Sequence, residues 1–233
     1  MNDTVAEIEQ VAPPKLLVPA YFHPALEPEQ WAMMADRAEQ VQMVILNVND
    51  GPGERRDEAR LEALERLLEA GVAVAGYVDV DYGQRPRHDV VADIGCFMLW
   101  YRVTGIFFDR VPAAPDQVPA AALLARHARD IGAQSVIFHH GVYPAEAYAE
   151  HADILGTFEG PWSSYVDLPV PRWARELTDA KSYHVVYSVP PASFGDAVLL
   201  ANRRRAGYVY ITDHEGANPY ERLPADWLDA AAG

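Results

Sequence analysis

Apolar, β-branched runs of strand length alternate along this chain with longer stretches whose apolar residues recur at helical spacing. The strand-like runs lie at 16–23, 41–50, 72–81, 103–111, 134–141, 154–160, 182–190 and 208–216. Between them the periodicity predicts helices over 27–40, 56–71, 88–102, 120–132, 145–152, about 172–179, and 194–207. The helix at 56–71 has the clearest pattern: Leu61, Leu64, Leu67 and Leu68 form one apolar stripe, and Gly71 stops it. Residues 1–14, ending in Pro13-Pro14, read as a loose lead-in. A tail containing Trp227 and Leu228 supplies an eighth helix.

Strand–helix alternation implies parallel pairing through right-handed crossovers. Eight such units predict the α/β class and a single (β/α)8 TIM-type barrel over 15–233. An open doubly wound sheet is the alternative. It favours a Gly-rich phosphate turn after the first strand, where this chain has Tyr21-Phe22-His23-Pro24.

Composition narrows the function. Half of the 233 residues are hydrophobic, enough for a sizeable core. Lys and Arg number 19 against 34 Asp and Glu, a formal net charge of −15. That balance argues against nucleic acid as a partner, because binding it takes a basic surface that displaces counterions. The single cysteine, Cys96, allows no internal disulfide and fits a core position. No apolar stretch reaches the roughly 18 residues of a membrane span, so no membrane partner is expected. The N-terminus is acidic and polar, without the pattern of a secretory signal. A cytoplasmic location follows, or a secreted one if the N-terminus has been trimmed.

In a barrel of this kind the active site lies at the carboxyl ends of the strands. The unusual polar residues gather there: Tyr21 and His23, Asn47 and Asn49, Asp79, Asp81 and Tyr82, Asp109 and Arg110, His139, Glu159 followed by Trp162, Tyr187, and Asp213. Any one of them could be a cap or turn residue; all eight strands ending this way is harder to explain so. Asp109 and Glu159, each at the tip of a buried strand, form the candidate catalytic pair. Two carboxyl groups facing one substrate can divide the acid and base roles when their environments push their pKa values apart. Aromatic rings can pack on the apolar face of a sugar, and Asn, Asp and His can bond its hydroxyls. No cofactor is expected. His139 and His140 point to opposite faces of a strand and cannot easily share one ion. No His-x-x-x-His or paired-Cys spacing is present, so no metal is expected either.

The segments VPAYFHP (18–24), VILNVNDGPG (44–53), GYVDVDYGQRP (76–86), WY-x-V-x-GIFFD (100–109), YVYITD and NPYERLPADW (208–227) resemble the spherulin-4-like family, also called spherulation-specific family 4. The resemblance covers nearly the whole chain after residue 15. It implies a barrel similar to glycoside hydrolases acting on galactosamine-containing polysaccharides, including partly deacetylated, cationic ones. It also implies that Glu159 matches the family's strand-six acid. The family pattern at strand four is Phe-Phe-Asp-Glu, whereas this chain reads Phe107-Phe108-Asp109-Arg110, with a permanent cation in place of the second acid.

The expected partner is thus a carbohydrate or small-molecule substrate, with a galactosamine-type glycan leading. A carbohydrate-binding protein without turnover and a cytoplasmic, biosynthetic enzyme remain open alternatives.

Overall fold

A computed structural model describes residues 13–178, 181–216 and 218–224. Eight parallel strands close in chain order: β1 Lys15–Ala20, β2 Val41–Leu46, β3 Ala73–Asp79, β4 Gly105–Asp109, β5 Ser135–His139, β6 Ile154–Pro161, β7 Ser182–Tyr187 and β8 Tyr208–Ile211. The β1–β8 ladder, Lys15 to Tyr208 and Leu16 to Val209, completes the ring. The expected closed barrel is the observed one.

The connecting helices are α1 Pro28–Asp36, α2 Glu58–Glu69, α3 Arg87–Cys96, α4 Val118–Asp130, α5 Trp162–Tyr165, α6 Arg172–Glu176 and α7 Phe194–Arg203. The strands are apolar along both faces because one face fills the barrel and the other meets the helices. In β4, Phe107 faces the interior cleft, while Phe108 packs 5.7 Å from Phe138 in the outer layer. Asp57 starts α2 by accepting the Ala59 and Arg60 amides, and this fixes the loop that follows β2.

Two differences from the expected elements have physical reasons. The segment expected as a helix at 145–152 is a tight 3₁₀ stretch, Glu146–Glu150, the form that short connecting turns commonly take. Apart from β6, which runs one residue past its sequence run, the strands also end earlier than expected. Their polar tips leave the ladder and turn with positive φ: Asp50, Asp81, Tyr82, Arg110 and Ser188 all lie between 45° and 54°. Four of the eight strands, β2, β3, β4 and β7, are followed by such a turn, so the rim carries five of the seven positive-φ non-glycine residues among the described residues. The lead-in up to residue 12 and the tail helix with Trp227 and Leu228 lie outside the described residues. Among the described residues, no helix is long and apolar enough to cross a membrane.

Candidate functional site

Alternate residues of neighbouring strands converge at the carboxyl end of the barrel. Pro19 and Tyr21, Ile45 and Asn47, Phe107 and Asp109, and Tyr183 and Val185 follow the two-residue period of strands and line one cavity with Tyr77, His139 and Glu159. It measures about 110 Å³. A wider hollow of about 440 Å³ adjoins it, sharing Asp109, His139 and Glu159 and adding Tyr82, Arg110 and Tyr187.

Glu159 reaches this cleft through an irregularity. Gly156 pairs with Tyr183 and Glu159 with Val185, both inward-facing, yet two residues, Thr157 and Phe158, lie between them opposite His184 alone. This β-bulge places Thr157 and Phe158 together on the outer face. Regular alternation from Gly156 would have turned Phe158 inward and Glu159 outward.

His139 is bonded to Glu159 and senses Asp109 through charge. Its Nε2 lies 2.6 Å from Glu159 Oε2, and its ring stacks on Phe107 at 5.3 Å. Tyr220, in the segment after β8, donates its hydroxyl to Glu159 Oε1. Tyr77 donates to Asp109 Oδ2 at 2.8 Å. Burial raises the pKa of Asp109, against the opposing His139 charge and the Tyr77 hydrogen bond. Burial also pushes Glu159 up, but the hydrogen bond and charge of His139, with Tyr220, outweigh it and hold Glu159 below its ordinary value. For His139, burial favours the neutral ring, and the bond to Glu159 with the charges of Glu159 and Asp109 reverses this and raises its pKa. The two carboxyl groups are therefore shifted in opposite directions, the condition for dividing acid and base roles.

These shifts fix a pH dependence of stability. A raised His139 pKa contributes stability that is complete below the unfolded value of 6.5 and is lost as pH rises through the folded one. A lowered Glu159 pKa contributes stability that is complete above the unfolded value of 4.5 and is lost as pH falls through the folded one. The pair therefore stabilises most between those two values. Thermal melts of the parent and Glu159→Gln should differ most in that window and converge as pH rises through the raised His139 value. A constant difference across the range would reject the linkage.

Of the residues expected at the site, the structure brings Tyr21, Asn47, Asp109, His139 and Glu159 to the inner cavity and Tyr82, Arg110 and Tyr187 to the outer hollow. The others are placed elsewhere. His23 accepts the Ala25 amide on Nδ1 and bonds Asp57 Oδ2 at 2.9 Å through Nε2, so both nitrogens are committed to the β1–α1 loop and the α2 cap. Asn49 is exposed beyond the turn that Asn47 holds by accepting the Gly51 amide. Trp162 opens α5 and packs 6.3 Å from Tyr165 in the outer layer. Asp213 is exposed, 3.6 Å from His214 and 3.9 Å from Arg222.

Asp79 and Asp81 are taken up by Arg110. Arg110 Nε donates to Asp79 Oδ1 at 2.9 Å, a terminal nitrogen donates to Asp79 Oδ2, and the other lies 2.9 Å from Asp81. The guanidinium also sits 5.7 Å from the centre of the Tyr82 ring. The cation thus turns toward the β3 loop and leaves the Tyr77–Asp109 bond intact. Its side chain is 42% exposed, so Arg110→Gln should cost about 1 kcal/mol or less in urea denaturation. A loss of several kcal/mol would show that the clamp is structural.

Tyr77, Tyr183 and Tyr220 also line the cavity, beyond the residues expected there. The first two are mid-strand aromatics, indistinguishable by pattern from core. Tyr220 stands in the NPY segment that carried part of the resemblance, and that was its only signal. Among the described residues, no group of three or more His, Cys, Asp or Glu is placed to hold a metal ion.

Fold and cleft define a closed (β/α)8 barrel with an acid-lined site at the carboxyl ends of its strands. The profile of spherulation-specific family 4 matches residues 15–232, and the chain belongs to that family. Spherulin-4 of Physarum polycephalum is 30% identical over 212 residues, which cover 86% of this chain and 64% of that protein. The chain therefore spans about 64% of the length of this relative. The crystal structure of Aspergillus clavatus Sph3 in complex with GalNAc superposes with a TM-score of 0.80 at 22% identity, covering 95% of this chain and 97% of that one. A GH113 β-1,4-mannanase matches with a TM-score of 0.55 at 10% identity, covering 94% and 98%. At these identities the two structures establish the shared barrel.

Proposed function

We propose that this protein is a glycoside hydrolase acting on a hexosamine-containing, galactosamine-type glycan, with Asp109 and Glu159 as its acid–base or nucleophile pair. The observation that carries the reading is the pair itself: two carboxyl groups from different strands face one cleft, and their pKa values are pushed in opposite directions. The complex of the similar Sph3 barrel with GalNAc supports the substrate class. Tyr82, 57% exposed on the outer hollow, offers an aromatic face to a neighbouring sugar ring.

A carbohydrate-binding protein without turnover is the second reading. It is favoured by the commitment of both Glu159 oxygens, one to His139 and one to Tyr220. Incubation with partly deacetylated galactosamine polymers separates the two. Release of new reducing ends supports the hydrolase. Binding without release supports the second reading. Neither binding nor release overturns both.

A further inference from the structure

Behind the cleft, on the helix side of β6 and β7, lies a buried polar cluster of side chains that do not line the cavity. Thr157 Oγ1 is 2.8 Å from Ser182 Oγ and 3.0 Å from His184 Nε2. Ser182 Oγ lies 3.3 Å from the same nitrogen, and His184 Nδ1 is 2.8 Å from the Tyr165 hydroxyl. Thr157, His184 and Tyr165 are wholly buried, and Ser182 nearly so. Thr157 is the residue that the bulge adds to β6.

We propose that this cluster is a positioning device for Glu159: it locks the β6 bulge and thereby aims the carboxylate at His139. The two side chains that the bulge sends outward both find partners there. Thr157 bonds Ser182 and His184, and Phe158 packs 4.9 Å from the Tyr165 ring and edge-on to His184 at 6.2 Å. Gly160 makes the room, because a Cβ there would stand 2.8 Å from Phe158 Cζ. Straightening β6 would pull the Thr157 hydroxyl from the cluster and leave His184 Nε2 only its longer, 3.3 Å contact to Ser182 Oγ. An unmade buried hydrogen bond is costly, so the regular register is penalised. Burial holds the His184 pKa down to about 3, so the ring is neutral at ordinary pH and can serve as a fixed bridge. His184 and Thr157 would act only through Glu159 and are positioning residues.

For its effect on rate, the inference rests on the glycosidase reading; for its geometry it does not. The test uses Thr157→Val, which keeps the shape and removes the hydroxyl, and Thr157→Ser, which restores it. The first readout is the titration midpoint of His139 by NMR, with Glu159→Gln as the reference for a ring that has lost its partner. The other groups beside His139 are Asp109, His140 and the Phe107 and Tyr183 rings, and none of them changes in these variants. Thr157→Val should lower the midpoint toward the Glu159→Gln value. It should also cut kcat on galactosamine polymer roughly 10–100-fold with KM unchanged. Thr157→Ser should recover both. A folded Thr157→Val protein with the parent's His139 midpoint would overturn the proposal. Should Thr157→Val fail to fold, Ser182→Ala decides: a smaller fall in the midpoint supports the device, and a parental midpoint overturns it. A shifted midpoint in a protein that cleaves no galactosamine polymer would uphold the device and reject the glycosidase reading.

Discussion

Asp109→Asn and Glu159→Gln are each expected to lower turnover of a partly deacetylated galactosamine polymer by about 10²–10⁴-fold, the usual worth of a positioned acid or base. Both replacements are nearly isosteric and sit on the cleft, so circular dichroism should show the barrel intact. Their side effects should differ. Glu159 gives His139 both a hydrogen bond and the larger part of its stabilising charge, whereas Asp109 acts on it through charge alone. The His139 midpoint should therefore fall further in Glu159→Gln than in Asp109→Asn. Azide then separates the roles. A small anion can replace a lost nucleophile or base, and it restores turnover in whichever variant lacks that group. Parental turnover in both variants would remove the pair from the mechanism.

The barrel was legible because a strand buried on both faces reads as a continuous apolar run, and eight such runs separated by helical periods have few other solutions. The polar tips were legible for the same reason: each run ends where the rim begins. What the sequence hid was the direction in which each tip points. His23, Asp79 and Asp213 look like Tyr21, Asp109 and Glu159 in pattern. The partners of His23 and Asp79, Asp57 and Arg110, stand 34 and 31 residues away along the chain, and only the closed barrel brings them near. Glu159 is the reverse case. Alternation from Gly156 would aim it away from the cleft, and one bulge brings it back. Tyr220 lies in a segment without periodicity, so no pattern could place its hydroxyl on Glu159.

Gly156→Ala should be the most damaging single-methyl change at the site. Gly156 pairs with His139 across β5 and β6, and a Cβ there would stand 1.9 Å from His139 Nδ1 and within 2.9 Å of two further ring atoms. The ring cannot step back: it is buried, stacked on Phe107 at 5.3 Å, flanked by Tyr183 at 5.9 Å and tied to Glu159. Either the imidazole tilts out of reach of Glu159 or the two strands part. Overpacking of this kind costs roughly 1–3 kcal/mol, against a gain of about 0.4–1 kcal/mol from the stiffer unfolded chain. For a chain of this size, each kcal/mol lowers Tm by about 2–4 °C. Melting should therefore show a drop of several degrees. NMR should show the His139 midpoint falling toward its Glu159→Gln value, because a displaced ring loses the bond that raises it. Turnover should fall with it, since Glu159 would lose the group that holds its charge. A Gly156→Ala protein with unchanged Tm and an unchanged His139 midpoint would mean that the close approach of ring and strand is not what sets the geometry of the pair.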